Sequence, residues 1–88
     1  MIKPSEKEII VKYLGKQPSR SIIPVLNKKR IFNARGKSFS PKSIQDIING
    51  KTENFKVETQ IVKIVEAAQK IENDIESLKQ EVFNKKFL

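Results

Sequence analysis

The stretch that decides the fold is Ser40-Pro41-Lys42-Ser43-Ile44-Gln45-Asp46-Ile47-Ile48-Asn49-Gly50. Serine is a good helix N-cap, proline suits the first helical position, and glycine commonly follows the end of a helix. Three isoleucines recur at the spacing of one helix face: Ile44, Ile47 and Ile48. The stretch therefore predicts a short helix with one apolar face and polar residues on its other sides.

Lysine and arginine are concentrated around this stretch. Between Lys12 and Lys51 the sequence has ten of them and a single acid, Asp46. Residues 1–63 hold fourteen Lys/Arg and five Asp/Glu, a net charge of +9, whereas residues 64–88 hold four and five, a net charge of −1. A surface that serves only solubility has no need of such segregation. A cationic surface around a short, polar-faced helix is typical of proteins that bind duplex DNA.

The amino-acid composition argues against several other classes of function. The chain has 88 residues, enough for one small domain and an extension, and it contains neither Cys nor His. Zinc fingers, thiol catalysis and the usual general-base chemistry are thereby excluded, so we expect no enzyme activity and no cofactor. The sequence has no signal-peptide core and no membrane-length apolar run. We therefore expect a cytoplasmic protein without a membrane partner, associated with the nucleoid when it is bound to DNA.

Helix signals along the chain predict an all-α fold of about four helices. The spacing of Ser5 and Glu8 is that of a capping box, and Gly15 is placed to end the first helix. A second helix is expected to begin at Ser21, with Pro24 in its first turn. Residues 31–39 read as a loop that Ile31, Phe32 and Phe39 pin to the core, and Thr52 or Asn54 is expected to cap the last helix.

The last predicted helix is long and carries an apolar heptad stripe: Ile61, Ile64, Ala68, Ile71, Ile75, Leu78 and Val82. Asp74 with Lys79, and Glu81 with Lys86, give the opposite-sign g and e positions that a parallel coiled coil prefers. A small domain is too short to cover the whole stripe, so the distal part is expected to form a dimer interface: Ile71, Ile75, Leu78 and Val82. A trimer, or a different partner such as a toxin or an anti-repressor, stays open.

Two segments of the chain resemble known DNA-binding proteins. Residues 43–51, SIQDIINGK, resemble the end of the recognition helix in phage-repressor and Cro-like helix-turn-helix regulators, and residues 53–58, ENFKVE, resemble the start of their next helix. The runs LNKKRI, RGK and FSPKSI between residues 26 and 44 are similar to a DNA-binding segment of large serine recombinases. Both resemblances imply DNA binding. The usual motif has a turn of three or four residues, whereas about ten separate Arg30 from Pro41 here.

Side chains on the outer sides of the predicted recognition helix are the candidates for base contacts: Lys42, Ser43, Gln45, Asp46 and Asn49. Candidates for contacts with the DNA backbone come from the surrounding loops and the second helix: Arg20, Ser21, Lys28, Lys29, Arg30, Arg35, Gly36, Lys37 and Lys51. The alternative for each is an ordinary solvated side chain. For Asp46 it is an acid that offsets neighbouring cations, and for Ser21 a helix cap.

The sequence as a whole favours a small regulator of phage or bacterial origin. Residues 1–66 are expected to form the helix-turn-helix domain and residues 67–88 a C-terminal helical dimerisation extension. We expect sequence-specific binding of a homodimer to a palindromic operator in double-stranded DNA, with repression of transcription as the outcome. Two alternatives stay open: an accessory or architectural factor of the excisionase or nucleoid type, and an antitoxin-type autoregulator whose last helix binds a partner.

Overall fold

The structure, a computed structural model, describes the backbone of residues 1–85 and the side chains of residues 1–83. Its helices are α1 (Pro4–Leu14), α2 (Ser19–Lys28), α3 (Pro41–Ile48) and α4 (Phe55–Lys85). The described residues contain four helices and no strand, so the predicted all-α fold with a long C-terminal helix is confirmed. Lys86, one of the residues of the predicted charge pairs, lies outside the described residues.

The first helix is capped two residues earlier than predicted, at Lys3 rather than Ser5. The backbone amide of Lys3 donates to Glu6 Oε1 at 2.8 Å, so the acid that closes this N-terminus is Glu6 and the predicted box from Ser5 to Glu8 is wrong. Proline takes the first helical position, where its missing N–H costs nothing and its fixed φ suits the helix. The predicted end is confirmed, because Gly15 has φ +85° and its amide donates to the Val11 carbonyl at 2.9 Å.

The second helix also begins two residues early, at Ser19 rather than Ser21. Its first turn is closed through the backbone, since the Pro18 carbonyl accepts from the amides of Ser21 at 3.0 Å and Ile22 at 3.1 Å. Pro24 therefore lies in the middle of α2 instead of its first turn. There it removes the hydrogen bond that this position would normally donate to the Arg20 carbonyl.

The core forms where α2 packs against both α3 and α4, while α1 packs on α4. Aliphatic side chains from all four helices are buried in it: Ile10, Ile22, Leu26, Ile44, Ile47, Ile48, Val57, Ile61 and Val65. Full burial stabilises by about 1.5–3 kcal/mol for each such side chain, before the loss of conformational entropy. Ile31 and Phe39 pack against this core from the two ends of the loop, as predicted. Phe32 does not, because it is 43% exposed.

The long helix α4 starts at a well-formed cap. Asn54 Oδ1 accepts from the Val57 amide at 3.1 Å, and the Asn54 amide donates to Glu58 Oε2 at 2.8 Å, which makes Asn54 rather than Thr52 the cap. A helix of 31 residues is roughly 46 Å long at 1.5 Å per residue. The side chains of residues 70–83 are all exposed, so the distal part of α4 projects away from the core and the molecule measures 61 × 27 × 19 Å.

Candidate nucleic-acid interface

The local structure of α3 follows from its two ends. Ser40 Oγ accepts from the Ser43 amide at 3.1 Å and donates to Ser43 Oγ at 3.0 Å, which confirms the predicted cap. Pro41 occupies the first helical position, and Gly50 follows the helix with φ +76°. The predicted apolar face is confirmed too, because Ile44, Ile47 and Ile48 are each at most 2% exposed. The opposite face of α3 is thereby turned away from the core.

The candidate base-contacting side chains lie on that outward face and along its edges. Lys42, Ser43 and Asn49 are exposed, whereas Gln45 and Asp46 are half-buried. Gln45 Nε2 donates to Asn49 Oδ1 at 3.1 Å, which holds the two amides side by side one turn apart. This bond leaves the Gln45 carbonyl and the Asn49 amino group able to bond to a ligand. The outward face of α3 and its edges thus present the Lys42 ammonium group, the Asp46 carboxylate and the paired amides of Gln45 and Asn49.

The loop between α2 and α3 is organised by one side chain, Asn33. Its Oδ1 accepts from the amides of Arg35 at 2.9 Å and Lys37 at 3.0 Å. Its backbone amide donates to the Lys37 carbonyl at 2.8 Å, and its carbonyl accepts from Gly36 at 2.9 Å. Four hydrogen bonds therefore fix a tight turn, with Gly36 at φ +75°.

This turn determines how the loop is able to bind an anion. The amides of Arg35, Gly36 and Lys37 all point inward to Asn33. A phosphate contact through the backbone at Gly36, which the sequence suggested, is therefore not available in this geometry. The side chains of Arg35 and Lys37 are exposed on the tip of the turn. Any anion held here is bound by these two cations rather than by a nest of amides.

At the start of α2 the amides are also occupied. Those of Arg20 and Ser21 donate to the Gln17 and Pro18 carbonyls at 3.1 and 3.0 Å. Because the helix begins before them, a phosphate contact at these two candidate residues is not available through their amides. What remains is the exposed Arg20 side chain and the exposed Ser21 hydroxyl.

At the end of α2, one of the three clustered cations has a partner inside the protein. Lys29 Nζ donates to Gln60 Oε1 of α4 at 2.7 Å, and Gln60 is itself 9% exposed. Arg30 adopts a positive φ of 58°, which turns the chain out of the helix and into the loop. Lys28 and Arg30 are exposed, and so is Lys51 beyond the other end of α3.

All ten cations between Lys12 and Lys51 are exposed. None of them forms an ion pair with a carboxylate among the residues that the structure describes. Cations that lack acidic partners keep their full attraction for a polyanion, since no internal charge offsets them. The loop and α2, which precede α3 in the chain, thus carry exposed positive charge that no ion pair of the described residues neutralises.

Two residues of this region were missed by sequence reasoning. Asn33 was not among the candidate residues, although an Asn shortly before a glycine is a signal for a side-chain-capped turn. Gln60 was not singled out at all. The sequence could have indicated Gln60 as a polar residue on the buried helix face that Val57, Ile61 and Ile64 form.

Two apolar surfaces lie away from the cations. One is a groove of about 370 Å³ between α1 and α4, where Ile9 and Val62 are exposed and Glu6 and Glu66 stand at the rim. The other is the distal stripe of α4, in which Ile71 is 60%, Ile75 50%, Leu78 59% and Val82 44% exposed.

In the comparisons with known proteins, no protein-family model, no curated protein and no solved structure matches this chain. No helix among residues 1–85 combines the length and the apolar character needed to cross a membrane. Within the same residues no cluster of His, Cys, Asp or Glu is arranged to hold a metal ion.

Proposed function

We propose that this protein is a sequence-specific regulator that binds double-stranded DNA as a homodimer and represses transcription at a two-fold related operator. The observation that carries the proposal is the outward polar face of α3, because the neighbouring α2 and the loop between them carry exposed cations that form no ion pair among the described residues. A helix presented in this way matches the width of the major groove, while the cations around it meet the phosphates.

Side-chain chemistry on α3 supports base recognition. Lys42 suits the acceptors of guanine, and Asp46 suits the amino group of cytosine. Asn49 and Gln45 suit adenine, and their mutual hydrogen bond of 3.1 Å orients both amides before any DNA arrives. Ser43 lies near the N-terminal end of the helix, the end that approaches base edges most closely in helix-turn-helix complexes.

The turn built on Asn33 supports a separate contact with the DNA backbone. Its four hydrogen bonds fix the backbone of two cations, Arg35 and Lys37, at an exposed tip of the loop. Fixing a loop before binding reduces the conformational entropy that binding would cost. Arg20, Lys28, Arg30 and Lys51 are further exposed cations, on α2 and on the segments that precede and follow α3 in the chain.

The exposed stripe on distal α4 supports dimerisation. Its four residues are large, aliphatic and in line along one helix, and water covers them in a single chain. Burying such side chains against a second copy is favourable by about 1.5–3 kcal/mol each, before the entropy of association. A dimer would bind DNA through two α3 helices at once and so favour an operator of two inverted half-sites.

The proposal is tested by selecting bound duplexes from a random DNA library. A two-fold related consensus is expected, and its affinity should exceed that of random duplex by at least about a thousandfold at physiological salt. Reversing the charge of Arg35, Lys37 and Lys42 together should abolish binding. Reversing Lys56, Lys63 and Lys70, three exposed cations on α4, is the control of equal charge. If the first triple variant binds as tightly as the second, the proposed surface is wrong.

One observation favours the accessory or architectural alternative. Of the ten cations in the basic block only Lys42 lies within α3, and seven of the other nine are candidates for contacts with the DNA backbone. Phosphate contacts carry no sequence information by themselves. The same library separates the two functions, since an architectural factor would give no consensus although its affinity would also fall steeply with salt.

A further inference from the structure

The exposed stripe on α4 is collinear with the part of α4 that contacts α2. Gln60 marks this side, because its Oε1 accepts from Lys29 Nζ at the end of α2 at 2.7 Å. Eighteen residues of an α-helix make five complete turns. Leu78 is eighteen residues from Gln60, and Val82 is eighteen residues from Ile64, which packs against the core. The stripe and the α2 contact therefore lie on the same side of one continuous helix.

From this geometry we infer that the two α4 helices of the homodimer pair in antiparallel orientation. The inference rests on the dimer proposed above and specifies its arrangement. Packed helices have their axes about 8–10 Å apart. Close to Gln60 that position on α4 is already taken by the end of α2. In a parallel dimer, the α4 of the partner subunit would lie at the same height, and its own α2 would also face the dimer axis. Two α2 helices would then have to fit between the two α4 helices.

An antiparallel pair avoids this conflict. Each α4 then packs along the distal stripe of the other copy, and the contact between the two helices ends before it reaches Gln60. Pairing a positions with d positions places Ile71 against Val82 of the partner subunit and Ile75 against Leu78 of the partner subunit. The two DNA-binding regions come to lie at opposite ends of the paired helices, where they do not meet.

Charge pairs weakly favour the parallel orientation instead. A parallel pair would bring Asp74 close to Lys79 of the partner subunit, as the sequence pattern suggests. An antiparallel pair instead brings Glu72 close to Lys79 of the partner subunit, and Asp74 towards Glu81 of the partner subunit. All these positions are exposed, and exposed ion pairs contribute little to stability. The steric conflict at α2 therefore decides the orientation.

Site-directed disulfides test the orientation, because the chain has no cysteine of its own. We would prepare Ile71→Cys and Val82→Cys variants with tags of different size, oxidise each alone and then in a mixture, and separate the products on a denaturing gel. In an antiparallel dimer the Ile71→Cys positions are about 16 Å apart along the axis, at 1.5 Å per residue, and so are those of Val82→Cys. A disulfide requires Cα atoms within roughly 7 Å.

The expected result is a cross-link only in the mixture, between one Ile71→Cys chain and one Val82→Cys chain. Efficient cross-linking of each variant with itself would overturn the antiparallel arrangement and leave the dimer intact. An absence of every cross-link, with a monomer by light scattering at micromolar concentration, would overturn the dimer as well. Asn73→Cys, on the opposite side of α4, should cross-link in none of these reactions. All substituted positions are exposed, and circular dichroism confirms that each variant is folded.

Discussion

Gly36 and Gly50 have nearly the same backbone conformation but different surroundings. Their φ values are +75° and +76°, a region in which a residue with a Cβ loses roughly 1–2 kcal/mol. Around Gly36 a Cβ would meet nothing within 4 Å, whereas at Gly50 it would lie 2.8 Å from the Ile2 carbonyl oxygen. We expect Gly36→Ala to lower the free energy of unfolding by about 1 kcal/mol and Gly50→Ala to lower it clearly more. Urea unfolding followed by circular dichroism compares them, and equal losses would contradict the close approach at Ile2.

Glu58 connects the beginning of α4 to the N-terminus. Its carboxylate accepts from the Asn54 amide at 2.8 Å and lies 2.9 Å from the Met1 amino group. Burial raises the pKa of Glu58, but the hydrogen bonds from the amino group and the amide, together with the charge of the amino group, outweigh burial. The pKa is therefore lowered from 4.5. Because the folded pKa lies below the unfolded one, this carboxylate stabilises the fold above the unfolded pKa, and the contribution is lost as the pH falls through the folded pKa.

A pH series of thermal unfolding checks the role of Glu58. We expect Glu58→Gln to be less stable than the parent chain at pH 7 and to lose less additional stability between neutral pH and pH 3. Glu53→Gln, the same change at a nearby exposed position, is the control. If Glu58→Gln and the parent chain lose the same stability on acidification, the Glu58 contacts do not contribute to folding.

At the scale of the elements, the helices differ in how well their ends could be predicted. Both ends and the buried face of α3 were correct because its signals are local: a serine cap, a proline and a following glycine. The start of α2 was missed because its first turn is closed by the Pro18 carbonyl and carries no side-chain cap. At α1 two overlapping cap patterns were present, and the position of Pro4 selected the earlier one.

The candidate site shows the same division between local and distant signals. That Lys42 and Asn49 are exposed follows from helical periodicity alone. The hydrogen bond between Lys29 and Gln60 joins residues 31 positions apart, so no local pattern reveals it. Occupation of the Gly36 amide by Asn33 likewise depends on the folded turn, and it changes the expected mode of anion contact at that loop.

The outward face of α3 leads to a prediction about DNA sequence specificity. Replacing Asn49 by Ala removes both the predicted base contact and the partner that orients Gln45. We expect the affinity for the selected operator to fall by about 1–3 kcal/mol, with little change on random duplex. Lys51→Ala, a change at a predicted phosphate contact, should instead weaken both complexes to a similar degree. Fluorescence anisotropy on the two duplexes measures both effects. Equal losses on operator and random DNA for Asn49→Ala would mean that this face does not contact bases.

At the scale of the whole molecule, the two proposed functions are separated along the longest dimension of 61 Å. The net charge of +9 belongs to residues 1–63, which form α1 to α3 and the start of α4. The exposed stripe begins at Ile71, beyond the last buried residue of the described chain, Val65. Because the regions share no side chain, a substitution in one should leave the fold of the other unchanged.

This separation leads to the prediction for assembly. Ile75 and Val62 are both exposed aliphatic residues of α4, at 50% and 62%, but only Ile75 belongs to the stripe. We expect Ile75→Asp to give a folded monomer, since burying an unpaired charge in the dimer interface costs several kcal/mol, whereas Val62→Asp stays dimeric. On DNA the Ile75→Asp variant should bind a single half-site like the parent chain and lose the cooperative gain on two half-sites. Light scattering gives the mass, and a titration of duplexes with one or two half-sites gives the cooperativity. A dimer of Ile75→Asp that binds two half-sites cooperatively would place the interface elsewhere, and the groove lined by Val62 would then be the surface to test.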